Sequence, residues 1–118
     1  MSYDIYLCDA VTKTPLMLDE PHFMRGGTYC VSGSLEAHLN VTYNYGQHYY
    51  RVMGENGIRS IYGKTGAESV SILSEAAGKL GDDVDENYWT PTEGNAKRAL
   101  LQLLALAQMR PDGVWNGD

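Results

Sequence analysis

Between Asn40 and Arg51 the sequence reads NVTYNYGQHYYR, which places four tyrosines, two asparagines, a histidine and an arginine within twelve residues. These side chains suit recognition. Tyrosine rings stack on planar groups or grip a protein surface, asparagine and threonine both donate and accept hydrogen bonds, and arginine meets a phosphate or carboxylate with a two-pronged donor. If Leu39, Val41 and Tyr43 face a core, then His38, Asn40, Thr42 and Asn44 form a polar row on the opposite side. Arg25, Tyr45, His48, Arg51 and Trp115 fall near the ends of that row, and together these nine are the candidate ligand-binding residues.

Chemistry of other kinds finds less support. The three histidines, His22, His38 and His48, are spread without the short-spaced Cys or carboxylate partners of a zinc site, and no G-x-S-x-G elbow presents a nucleophile. The stretch GIRSIYGKT, from Gly57 to Thr65, has five residues between its glycines where a phosphate-binding loop needs four. Lys64 beside a helix start remains a place to hold one anion. DDVDEN, beginning at Asp82, opens like a calcium loop but has Tyr88 where glycine is required and Gly94 where the bidentate glutamate belongs. No catalytic residue, metal site or cofactor is therefore assigned.

The elements that must carry these residues change period partway along the chain. Tyr3, Ile5 and Leu7 alternate as a strand does, Leu16 and Leu18 mark a second, and Tyr29 and Val31 a third. Asp19 to Gly27, with Pro21 and a glycine pair, reads as a loop. From Leu35 to Tyr45 apolar and polar residues alternate as one long strand, ended by Gly46. Gln47 to Gly54 then reads as a short helix closed by glycine. Thr65–Glu68 and Thr90–Glu93 each have the spacing of a capping box. The helix after the first runs to about Gly81, and the second, over 91–109, is apolar on most sides and stops before Pro111. Residues 1–118 form one expected domain of α+β class, two-layered, with an N-terminal antiparallel sheet of about four strands packed on about three C-terminal helices. Trp115, after the Asp112-Gly113 turn, is expected to dock back onto the domain.

Composition narrows the function further. Apolar residues make up 43% and charged residues 20%, ordinary globular values, while the net charge of −6 and nine scattered basic residues argue against nucleic-acid binding. The same charge permits a basic partner. Cys8 and Cys30 both fall in strand-like runs and read as reduced core thiols. The start MSYDIYLCD lacks a basic segment followed by an apolar one, and no apolar run approaches the ~18 residues of a membrane span. A cytoplasmic location with no membrane attachment is expected, which leaves the NVT glycosylation sequon at Asn40 idle.

Taken together, YDIYL near the start, RGGTY at 25–29, NVTYNYGQHYYRV at 40–52, YGKTGAES at 62–69, TEGNAKRALLQLLALA at 92–107 and RPDGVWNGD at the end resemble a group of small uncharacterised proteins from phages, prophages and gut bacteria. The resemblance implies a phage or mobile-element setting and carries over no residue roles. In that setting the expectation is a non-enzymatic binding protein acting stoichiometrically in the host cytoplasm, either inhibiting a host protein or sequestering a small nucleotide-like ligand. An open polar sheet face would also invite a second copy, giving a homo-oligomer. Two other classes stay open: a small hydrolase or nucleotide-modifying enzyme using a histidine, and a structural or assembly component of a phage particle.

Overall fold

The computed structural model describes residues 1–27 and 33–118. The strands are β1 (Ser2–Cys8), β2 (Met17–His22), β3 (Ser34–Glu36), β4 (His38–Thr42) and β5 (Val114–Gly117); the helices are α1 (Gly46–Met53), α2 (Gly66–Gly78) and α3 (Glu93–Met109). Short 3-10 turns occupy Tyr43–Tyr45 and Gly57–Ile61. The class is α+β, as expected, with antiparallel strands throughout. They form two sheets: β4-β1-β5, and the pair β2-β3.

Strand β1 forms where the alternation placed it, and its apolar parity goes inside: Tyr3, Ile5 and Leu7 are buried together with Leu39 and Val41 of β4. The long strand expected over 35–45 is instead two strands and a turn. At Ala37 the chain leaves β2 and joins β1, its amide donating to Leu16 O and its carbonyl accepting from Leu7 N. Leu35 is consequently exposed, not core. Tyr43 and Tyr45 leave the strand in the 3-10 turn, where Thr42 Oγ1 caps the Asn44 amide. The expected loop from Asp19 begins as strand, because β2 continues to His22 with Pro21 inside it. The strand expected around Tyr29 and Val31 lies outside the described residues, as does Cys30. Cys8 is buried with a free thiol, which donates to Val114 O at 3.3 Å.

The helices follow their local signals, with two shifts. Thr65 and Glu68 close a reciprocal capping box at the start of α2, and that helix ends at Gly78, one turn before Gly81. For α3 the cap is Thr92, not Thr90: its hydroxyl accepts from Asn95 N at 3.1 Å. Thr90 lies in a turn ahead of the helix, its amide donating to Asn87 O and its carbonyl accepting from Asn95 Nδ2 at 3.0 Å. Glu93, released from a capping role, accepts from Gly81 N. Helix α3 buries Ala96, Ala99, Leu100, Leu103, Leu106 and Ala107. The tail forms an edge strand on β1, and its Trp115 is 1% exposed, with Nε1 donating to Ser69 Oγ on α2 at 2.7 Å. Among the described residues no helix is long and apolar enough to cross a membrane.

Candidate functional site

Eight of the nine residues proposed for ligand binding separate into two groups, and Trp115 stands apart in the core. On β4, His38 Nε2 lies 3.4 Å from Asp4 Oδ1, and Asn40 Nδ2 donates to that oxygen and to Ser2 Oγ, each at 2.7 Å. Strand pairing sets Asp4 opposite Asn40 and Tyr6 opposite His38, so this polar cluster belongs to the sheet face turned away from Ile5 and Leu39. Only part of the row is open, however: His38 is half-buried, whereas Asn40 is 7% and Thr42 1% exposed.

The covering element is the segment from Asp85 to Thr92, and most of the remaining candidates hold it. Asn44 Nδ2 donates to Trp89 O at 2.9 Å, Tyr45 Oη donates to Tyr88 O, and Arg25 Nη2 donates to Glu86 O at 3.1 Å. His48 Nε2–H donates to Pro91 O at 2.7 Å, which leaves Nδ1 to accept from Arg51 Nη2; Arg51 in turn pairs with Glu93 at 3.3 Å. From the segment itself, Tyr88 Oη accepts from Thr42 N and donates to Asn40 O. Asn95 completes the fastening from below, donating to Asn87 O and Thr90 O and accepting from Asp85 N. Asn44, Tyr45 and His48 thus bind a partner, and the partner is the chain's own loop. Burial pushes the Tyr45 hydroxyl up to about 12 and also raises Tyr88 and Tyr49, whose hydroxyl donates to Ala96 O. Each phenol is held as a neutral donor.

Trp115 serves the core, as described, while Lys64 precedes α2 with its carbonyl accepting from Trp115 N. The three histidines lie in separate settings. His22 donates from Nε2 to Glu36 O and accepts at Nδ1 from Met24 N, His38 faces Asp4, and His48 faces Pro91. Among the described residues no three His, Cys, Asp or Glu side chains gather as metal ligands.

A different surface has the form of a binding groove. Strand β2 and the C-terminal end of α3 enclose a hollow of about 670 Å³, lined by residues 17–22 with Met109 and Arg110. Arg110 builds it: Nη1 donates to Met17 O at 2.8 Å, joining strand to helix end, while Nε and Nη2 grip Asp112 at 3.1 and 2.9 Å. That ion pair raises the Arg110 pKa and lowers that of Asp112. With Arg110 matched by Asp112, Asp19 and Glu20 give the groove a negative balance. Met17 and Met109 are each 52% exposed. Methionine's flexible, polarisable side chain adapts to varied partners, which makes it common on binding surfaces. Pro21 removes one amide from β2, so recognition here falls on side chains more than on an added strand. No reading of the sequence pointed to this site. Met17 and Met109 stand 92 positions apart, and neither belongs to a periodic pattern that singles it out.

No protein-family model, curated protein or solved structure matches the chain, so the site's chemistry rests on its own geometry.

Proposed function

We propose that this chain is a non-enzymatic binding protein, of phage or mobile-element type, that acts stoichiometrically by gripping a basic, methyl-rich segment of a host protein in the groove between β2 and α3. The carrying observation is the pairing of two half-exposed methionines with Asp19 and Glu20 across one hollow. Apolar anchors supply affinity there, and carboxylates select a partner bearing Lys or Arg and speed its approach. The net charge of −6 favours the same class of partner over a nucleic acid.

The test is native mass spectrometry on the chain purified from host cells, in wild-type form and as the double variant Met17→Asp, Met109→Asp. Both positions are exposed, so the fold tolerates the change. A protein-sized adduct on the wild type that disappears from the double variant and weakens with added salt is the expected result. An adduct that survives the double substitution refutes the groove as the docking site.

A further inference from the structure

A second hollow, of about 320 Å³, opens between the start of α1, the turn at 57–61 and the first residues of β1. Tyr3, Tyr43 and Tyr50 line it with Gly46, Gln47 and Arg59. Two of the rings, Tyr3 and Tyr43, meet edge to face with centroids 4.5 Å apart, and the Arg59 guanidinium lies 4.9 Å from the first centroid and 5.8 Å from the second. Cation–π contact and a bond from Nε to Asp118 O at 2.8 Å hold that guanidinium still. Nη2 reaches Tyr43 Oη only at 3.4 Å. Among the described residues no Asp or Glu side chain lies at ion-pair distance from Arg59.

The opposite wall is an aromatic ring fixed in the open. Tyr50 is 47% exposed, yet glycines back it on two sides. A Cβ on Gly57, whose φ is +55°, would stand 3.1 Å from ring atoms Cδ1 and Cε1, and one on Gly46 would stand 3.7 Å from Cε2. The ring therefore loses little freedom when something stacks on it.

We propose that this cleft binds a planar heteroaromatic ring carrying a phosphate, the chemistry of a nucleoside monophosphate, with the ring stacked on Tyr50 and the phosphate on the outer edge of Arg59. The arginine provides two-pronged donors of the kind phosphate prefers, and the exposed phenol ring provides the stacking face. Ligand pockets run from roughly 300 to 1,000 Å³, so this one, at the small end, suits a single nucleotide. The site is separate from the methionine groove, and neither proposal depends on the other.

The experiment follows the Arg59 Nε–H resonance and the Tyr50 ring signals by NMR while adenosine 5′-monophosphate, adenosine or inorganic phosphate is added to the full chain. The monophosphate shifts both sets of signals and binds tightest; adenosine binds more weakly and moves Tyr50 alone. Tyr50→Ala weakens the monophosphate by roughly five- to 150-fold, the span of one base–aromatic stack. Tyr50→Phe, which keeps the ring, retains binding, as does Met17→Asp, Met109→Asp. Arg59→Gln abolishes the advantage of monophosphate over adenosine, and a preserved NMR fingerprint in that variant shows the fold intact. The proposal is overturned if millimolar monophosphate moves neither set of signals, if phosphate alone binds as tightly, or if Tyr50→Ala leaves the affinity unchanged.

Discussion

Raising the pH should destabilise this protein through its buried phenols. Burial pushes the hydroxyls of Tyr3 and Tyr45 from 10.0 up to about 12; the two side chains are 4% and 0% exposed. A raised folded-state pKa means that the folded chain favours the protonated phenol. The resulting stability is fully present below the unfolded value near pH 10 and is lost as the pH climbs towards about 12. At about pH 11 each residue has given up one unit of its difference, ~1.4 kcal/mol, and the two together ~3 kcal/mol. With a urea slope of ~1–3 kcal/mol per molar, these two residues alone lower the unfolding midpoint by roughly 1–3 M between about pH 8 and pH 11, and Tyr49, Tyr62 and Tyr88, also raised by burial, add to the fall. Fluorescence of the buried Trp115 reports the transition, and tyrosinate absorbance counts the phenols that ionise before and after it. Tyr45→Phe is the control: less stable at about pH 8, because the bond to Tyr88 O is gone, it then declines by ~1.4 kcal/mol less than wild type on the way to about pH 11. A midpoint that holds level to about pH 11, or a Tyr45→Phe variant that declines as steeply as wild type, refutes the reasoning.

Two further substitutions examine the loop and its helix. Thr92→Ala removes the α3 cap and costs about 1 kcal/mol, whereas Thr90→Ala, with no capping bond to lose, changes stability by under about 0.5 kcal/mol; chemical denaturation of both separates the two assignments. Asn95→Ala leaves the Asn87 and Thr90 carbonyls and the Asp85 amide without their side-chain partner, so it costs about 2–3 kcal/mol by the same measurement. It also raises the hydrogen-exchange rate of the amides between residues 85 and 92, which a simple loss of core packing leaves slow.

Features set by neighbouring residues were legible in the sequence; those set by distant pairing were not. The alternation of Tyr3, Ile5 and Leu7 and the Thr65–Glu68 box are local, and both appear as read. The break at Ala37 is invisible because Leu35 and Leu39 keep the same parity while the strand changes partner from β2 to β1, and a period of two does not record which partner a strand has. The choice of Thr92 over Thr90 depends on Asn95 closing the turn from inside the helix. Strand β5 has only four residues, and its ladder is supplied by β1, more than a hundred positions away. The polar residues of 40–51 read as ligand-binding side chains, but their spacing could not say that residues 85–92 would take up Asn44, Tyr45 and His48. Both hollows join residues from separated parts of the chain, which no motif spans.

The pairing of β1 with β5 also governs when the fold can form. Strand β1 lies in the middle of its sheet, between β4 and β5, and its Asp4 amide donates to an Asp118 side chain 114 positions later. During synthesis β1 can dock on β4 once residue 42 has emerged, but its other edge and the socket for Trp115 beneath α2 stay empty until residues 114–117 arrive. The last contacts also close the longest loop, which favours slow, late completion. Until then Ile5 and Leu7 lie beside an unpaired strand edge, so the nascent chain passes through a stage open to wrong partners before it is able to engage the right one.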